Sequence, residues 1–390
     1  MHRLNDPALP ELDVALDCER MRQRVAHASG RSPHEVLGCA IERVKYRPGR
    51  SAVVLYRLSV EGSSPEALVY ATVYPAGIAL RAFPDDRKLP GLRLLAEPAR
   101  LGAEVLGTPC TLARVSYFPE HAYTARITLN QGTQTFYAKT QSTARGERTF
   151  ALLQYLHKEN LRCARPLLYH AASATLFQEA VAGTTAESLA AQRRFSSTLA
   201  ARVGAGVAAL HAVDLDGLDG VDAGTCLARL REVIRVLGSV LPRAAARAYA
   251  VMTQLERQPP PPAAPATLHG DLHLNNILVD AGRIALVDLD DLRRGPAELE
   301  LGSFVAALLY RAALHGRRGM HQEDMEHFLA GYAEHASRPV RIDQVGWYAA
   351  AALIHERAWR CLTSLKPGRL ALIDELIGEA SELAFEPCLI

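Results

Sequence analysis

Lysine is scarce in this chain. Only Lys45, Lys88, Lys139, Lys158 and Lys366 occur among 390 residues, against 39 arginines, so a lysine on a strand stands out. Charge of one sign is lacking too: 44 basic residues nearly balance 42 acidic ones, a formal net charge of +2. That balance gives no reason to expect nucleic acid or an anionic membrane as the main partner. The seven cysteines are odd in number and form no C-x-x-C, which excludes a disulfide scaffold and points to a reduced, cytoplasmic chain. No apolar run is long enough to span a bilayer, and MHRLNDPALPELDVALD is too polar and acidic for a signal or transit peptide. What remains is a chain with 49% hydrophobic residues, long enough for two or three domains or one large two-lobed one.

The first third mixes helix and strand patterns. Residues 11–28 read as an amphipathic helix, followed by β-rich runs at 39–46, 51–60 and 66–74 and a second helix over roughly 90–105. The pattern then repeats. CAIERVKYRP (39–48) laid over CTLARVSYFP (110–119) matches at five of ten positions, and the strands 123–130 and 135–140 follow in the same order. VYATV (69–73) aligns on FYAKT (136–140) if one turn differs in length. Duplication of one antiparallel unit explains this order better than shared strand composition. At the position bearing chemistry the copies differ, with Thr72 in the first and Lys139 in the second. Beyond residue 180 the apolar spacing is helical, with single helices expected over 184–213 and 341–363 among others, interrupted by the extended PPPPAAP (259–265) and a hairpin pattern over 267–289.

The densest chemistry lies between residues 269 and 291. His269-Gly270-Asp271-Leu272-His273-Leu274-Asn275-Asn276 sets a carboxylate and an amide five residues apart in a loop leaving a short strand. Such a loop can curl so that both face one point, Asp271 toward a substrate proton and Asn276 toward a metal. After the hairpin, an apolar strand ends in Asp288, where a buried strand would continue apolar. Asn276 and Asp288 together offer the hard oxygen ligands Mg²⁺ takes when phosphate supplies the rest.

The order Asp, four residues, Asn, then a strand-terminal Asp is similar to the phosphoryl-transfer signature of protein-kinase-like folds. In its HGDLHxxN form it resembles the aminoglycoside phosphotransferase and choline kinase family, over roughly residues 110–390. The resemblance implies an α+β, bilobal fold with a β-rich N-lobe and a helical C-lobe, preceded by an extra segment that looks like a degenerate duplicate of the N-lobe sheet. Its divisions are 1–105 for the duplicate, 106–180 for the nucleotide-binding lobe and 181–390 for the helical lobe. The implied activity is transfer of the γ-phosphoryl group of ATP, or another nucleoside triphosphate, with Mg²⁺, to a hydroxyl of a small molecule such as an amino sugar, sugar or amino alcohol. The alternative is a non-catalytic, pseudokinase-type binding protein.

On the family's template Asp271 is the catalytic base, with Lys139, Glu147 and His269 completing the catalytic set. Lys139 sits in the strand TFYAKT and Glu147, beside Arg148, in the helix pattern that follows. Asn276 and Asp288 are the implied metal ligands. LFQEAVAG (176–183) is similar to the hinge that binds adenine, which gives Glu179 and Val181 as cofactor-binding residues and a lobe boundary near 179–183. Leu210-His211 is similar to a feature of the helical lobe, though a satisfied core histidine fits it as well. Acids available to a cationic acceptor are Asp290, Asp291, Glu298, Glu300 and Glu356, with Trp359 on the same helical face as Glu356 at a spacing of three; Asp290, Asp291 and Glu356 are the expected substrate contacts.

The chain also departs from the template. The turn before the Lys139 strand is Tyr117-Phe118-Pro119-Glu120-His121 rather than a glycine-rich loop. Only Leu289 to Gly295 separate Asp288 from the next helix, leaving no room for a protein kinase's activation loop. The acid opening that helix is Glu300, where the family tends to have aspartate.

Overall fold

The computed structural model describes residues 6–385 except 33, 63–66, 130, 131 and 133. The chain forms two compact units. The first comprises residues 1–152, 165–180 and 363–366, and the second residues 153–164, 181–362 and 367–390. Between Ala180 and Val181 the chain passes from one to the other. The expected α+β class holds, with the two large sheets in the first unit and most of the helix in the second. No helix among the described residues is long and apolar enough to cross a membrane.

The first sheet is an antiparallel meander of β1 (Val36–Arg47), β2 (Ser51–Val60), β3 (Ala67–Tyr74) and β4 (Gly77–Ala82). The second contains β5 (Cys110–Phe118), β6 (Ala122–Leu129), β7 (Gln134–Thr140), β8 (Pro166–His170) and β9 (Thr175–Glu179), in the order β5-β6-β7-β9-β8. Each first strand is bulged, between Ile41 and Arg43 in one sheet and between Arg114 and Ser116 in the other. The bulges bend both hairpins in similar places. In the first sheet β3 turns directly into β4. In the second, the helix Thr143–Lys158 and β8 intervene before β9 takes the place beside β7.

The structure extends the repeat further than the strands. Asp6 accepts the Tyr46 hydroxyl at 2.7 Å and the Gly49 amide at 2.8 Å. In the second copy Asp86 accepts the Tyr117 hydroxyl at 3.0 Å and the Glu120 amide at 2.7 Å. The two turns share a left-handed residue, Gly49 at φ 70° and Glu120 at φ 61°. A D-x-x-L-P-x-L segment carries each aspartate, at 6–12 and 86–92. The expected helix at 90–105 is instead three short pieces, Leu92–Ala96, Pro98–Leu101 and a π-helical turn Gly102–Leu106. Leu89, Leu92, Leu95 and Leu101 from this stretch share one core with Leu55 and Tyr70 of the first sheet and Tyr117, Ile127, Phe136 and Phe177 of the second.

The second unit is built around two helices in close contact, Ser197–Ala212 and Gln322–His335. A Cβ at Gly204 would lie 2.1 Å from the Phe328 carbonyl, and one at Gly331 2.2 Å from the Ala201 carbonyl. Glycine on both sides is what lets the backbones approach. The pattern read as one helix over 184–213 splits into Ala186–Ala191 and Ser197–Ala212, the second starting on a Ser196 cap. Residues 341–363 likewise form Ile342–Ala352, a π-helical stretch Leu353–Ala358 and Trp359–Ser364.

Candidate active site

The loop 269–276 is held from beneath by a buried carboxylate. Glu300 lies in the first turn of the helix Ala297–Leu314 and is 3% exposed. Its Oε2 accepts the His269 amide at 2.9 Å and its Oε1 the Gly270 amide at 2.8 Å. His211 donates from Nε2 to the same carboxylate at 2.8 Å and meets the Tyr332 hydroxyl through Nδ1 at 2.9 Å. His211 is therefore a satisfied core histidine, and its task is to hold Glu300. Burial alone would raise the Glu300 carboxyl, but the hydrogen bond and charge of His211, with the His269 backbone amide, outweigh that and keep it below its ordinary value.

His269 is fully buried, with both ring nitrogens engaged by backbone. Nε2 donates to the Val287 carbonyl at 3.0 Å, and Nδ1 accepts the Asp271 amide at 3.4 Å, which fixes the tautomer. Gly270 follows at φ 82°, and a Cβ there would lie 2.0 Å from the Asp291 carbonyl. Only glycine lets the loop approach the Asp288–Asp291 turn this closely.

The Asp271 side chain is 39% exposed. Its Oδ2 lies 3.6 Å from His273 Nε2 and its Oδ1 3.5 Å from Arg360 Nη2. Burial would raise this carboxyl; His273, with the charges of Arg360 and Arg357, more than offsets the effect and holds it below the usual 3.8. Asn276 is 7% exposed and donates from Nδ2 to the Asp271 carbonyl at 2.9 Å. The Asn276 carbonyl also accepts the Val287 amide at 3.0 Å, which ties this residue to the chain one position before Asp288. The strand Arg283–Leu286 stops two residues short of Asp288, whose left-handed φ of 63° turns the chain into Leu289–Asp291. The backbone tie keeps Asn276 and Asp288 close along the fold, and an amide and a carboxylate are oxygen donors of the kind a Mg²⁺ ion could use beside phosphate and water. Among the described residues no group of three or more His, Cys, Asp or Glu could hold a metal by itself.

In the first unit, Lys139 is half-buried in β7, between Thr124 on β6 and Leu176 on β9. Glu147 is exposed and falls in the second turn of Thr143–Lys158, since that helix starts at Thr143. Its charge helps raise the Tyr169 phenol, after burial. Glu179 ends β9 paired with Arg165, and Val181 opens the second unit. The turn that stands in place of a glycine-rich loop is locked: Glu120 receives Lys88 at 2.6 Å, Arg87 at 3.5 Å and the Thr72 hydroxyl at 3.4 Å.

Of the acids considered for a cationic acceptor, three are engaged internally. Glu298 is 5% exposed and accepts the Arg341 amide at 2.9 Å. Glu300 holds the loop. Glu356 accepts Ser303 Oγ at 2.8 Å and pairs with Arg357 at 3.2 Å. Glu356 and Trp359 do not share the simple spacing of an α-helix, because Leu353–Ala358 is π-helical, and the Arg229 guanidinium lies 5.4 Å from the Trp359 ring centroid. Asp290 and Asp291 stay half-buried directly after Asp288. Sequence reasoning passed over His273, Arg357 and Arg360. His273 was there to be found, two residues past Asp271 in the motif; the arginines carry no signal in a chain with 39 of them.

A family model described as the phosphotransferase enzyme family matches residues 123–369. No curated protein matched the sequence significantly. Among solved structures, a putative aminoglycoside phosphotransferase from Ralstonia eutropha aligns with TM-score 0.55 and 16% identity, over 75% of this chain and 97% of its own. A spectinomycin phosphotransferase in complex with ADP and spectinomycin aligns with TM-score 0.52 and 13% identity, over 73% and 95%. A choline/ethanolamine kinase family protein from Mesorhizobium loti aligns with TM-score 0.51 and 16% identity, over 74% and 97%. At these identities the structures speak to the fold.

Proposed function

The chain belongs to the phosphotransferase enzyme family, and on that premise we propose that it transfers the terminal phosphoryl group of ATP to a hydroxyl of a small molecule. The bond from the terminal phosphorus to the β–γ bridging oxygen breaks, a bond to the acceptor oxygen forms, and the acceptor's proton passes to Asp271. The observation that carries this reading is the bracketed loop, in which Glu300, His269 and Asn276 fix the Asp271 backbone while its carboxylate stays partly exposed. Because that carboxyl is held low, Asp271 is ionised at neutral pH and serves chiefly to orient the hydroxyl, taking its proton as the oxygen–phosphorus bond forms. His269 touches only backbone, which supports a positioning role for it.

Asn276 and Asp288 are the residues that would hold Mg²⁺, which when bound offsets negative charge on the phosphates. Lys139 is assigned to the nucleotide phosphates, Glu147 to its support, and the backbone at Glu179 and Val181 to the adenine. Asp290 and Asp291 remain the candidate acceptor contacts beside the metal acid. Asp271→Ala should abolish acceptor-dependent ADP release while ATP still stabilises the protein in thermal melts. Turnover by that variant at the wild-type rate would refute the assignment.

The locked, glycine-free turn at Glu120 favours a second reading, in which the protein binds partners without catalysis. Thermal melts with ATP alone and with ATP plus Mg²⁺ separate the two. Metal-dependent stabilisation supports the enzyme, and its absence at saturating nucleotide supports the binding protein.

A further inference from the structure

Two guanidinium groups act on the carboxylate that would meet the acceptor. Arg360 Nη2 lies 3.5 Å from Asp271 Oδ1 and the Arg360 side chain is 50% exposed, so its guanidinium is open to a ligand. Arg357 stands behind it, 3% exposed. One of its nitrogens, Nη2, donates to the Ser303 carbonyl at 3.0 Å and to Ser303 Oγ at 3.2 Å, and lies 3.2 Å from Glu356 Oε2. Its Nε is buried with no hydrogen-bond partner. Arg369 adds a third guanidinium, donating to the Tyr310 hydroxyl at 2.6 Å; both Arg369 and Arg360 act on that phenol. His273 closes the other side of Asp271.

A guanidinium sealed from water with an unmade hydrogen bond is costly unless negative charge compensates it. Glu356 serves Arg357 and is shared with Ser303, which leaves Asp271 to answer Arg360. Three of the five acids that would welcome an amine are meanwhile turned to other work: Glu298 caps a backbone amide, Glu300 holds the loop and Glu356 meets Ser303 and Arg357. Planar, forked guanidinium groups are the side chains best matched to carboxylate and phosphate oxygens.

We propose that the acceptor carries an anionic group, a carboxylate or a phosphate near the receiving hydroxyl, and that Arg360, backed by Arg357, binds it. The proposal rests on the phosphotransferase reading and narrows its acceptor from an amine-bearing molecule to an acid-bearing one. It also separates two tasks at Asp271: the carboxylate orients the hydroxyl, and the neighbouring guanidinium fixes the rest of the acceptor.

The test measures ADP release with matched acceptors: glycerate, gluconate and glycerol 3-phosphate against glycerol, sorbitol, ethanolamine and glucosamine. At least a tenfold advantage in kcat/KM is expected for an acid over its neutral or cationic counterpart. Comparing glycerate with glycerol 3-phosphate tells carboxylate from phosphate. Arg360→Gln should lose at least tenfold more kcat/KM with the acids than with the neutral polyols, mainly through KM, and Arg360→Lys should recover part of it. Preferred turnover of amines or polyols would overturn the proposal. So would an Arg360→Gln defect in kcat of equal size for every acceptor, since that is the behaviour of a residue serving the transferring phosphoryl group. Gluconate and sorbitol are also compared in thermal melts of the wild type and Arg360→Gln without nucleotide. An Arg360-dependent shift with gluconate, together with no ADP release from any acceptor, would uphold the anion site and sink the phosphotransferase reading. No shift and no turnover would sink both.

Discussion

Across the first sheet, one row of paired residues runs from Lys45 through Val53 to Thr72; across the second, the matching row is Ser116, Thr124 and Lys139. Each row has one lysine, but on the first strand in one sheet and on the third in the other. Lys45 is half-buried, and its ammonium is pushed down by burial, then by the like charges of Arg47, Lys88 and Arg145. Everything that makes the turn is kept in both copies: the aspartate, the tyrosine hydroxyl it accepts, and the left-handed residue whose amide it holds. What differs is the strand that bears the lysine, and the helix Thr143–Lys158 added after the third strand of the second copy alone. Architecture is thus shared between the copies and chemistry is not. The turn lock belongs to the fold, and the lysine's place on the third strand is the difference on which the proposed reaction draws.

The largest effect should come from making the second row resemble the first. Lys139→Thr is expected to lower kcat/KM at least about 100-fold, the scale for removing one preorganised electrostatic contact, with little change in the denaturation midpoint. Full activity in that variant would erase the chemical difference between the sheets. Next come the paired locks. Asp6→Ala and Asp86→Ala each strand a buried tyrosine hydroxyl and a backbone amide, a loss of about 2–4 kcal/mol in denaturant melts. Only Asp86→Ala should also raise the KM for ATP several-fold; equal kinetic effects would mean that both copies shape the nucleotide site.

The smallest effect should follow from Glu120→Gly, which gives the second turn the residue of the first. It removes the Lys88 and Arg87 pairs, worth about 0–1 kcal/mol, and relieves left-handed strain of about 1 kcal/mol. The net change at neutral pH should stay within about 1 kcal/mol. Burial raises the Glu120 carboxyl, but Lys88, Arg87 and Thr72 together bring it below its ordinary 4.5. Its contribution to stability is therefore complete above about pH 4.5 and declines as the pH falls through the lowered folded value. Melts of Glu120→Gly should show a flatter acid limb than the wild type, and identical limbs would mean that the ion pairs contribute nothing.

How much of this could be read from the sequence depended on distance along the chain. The loop from His269 to Asn276 and the strand with Lys139 are local patterns, each specified within about ten residues, and both were legible. So was the strand repeat, which keeps one spacing from Cys39 to Pro48 and from Cys110 to Pro119. The Asp6 and Asp86 segments escaped because a different spacing separates them, the two linkers before the first strands being unequal in length. Glu300 was singled out as a structural acid, but its partners His211 and His269 lie 89 and 31 residues away, so only the fold brings them together. The π-helical turn at Leu353–Ala358 defeated the face assigned to Glu356 and Trp359, because helical spacing presumes 3.6 residues per turn.

The core shared by the two sheets has a further consequence, for cooperativity. Leu92, Leu95 and Leu101 are sealed by side chains from both copies, so opening either sheet would wet the leucines on which the other depends. Elements that share so much buried apolar surface melt as one foldon. The first sheet should therefore not unfold, or be shed by truncation, while its sibling stays intact. Duplication here has tied the two halves together: the one without the third-strand lysine and the one with it share a core and should share one unfolding transition.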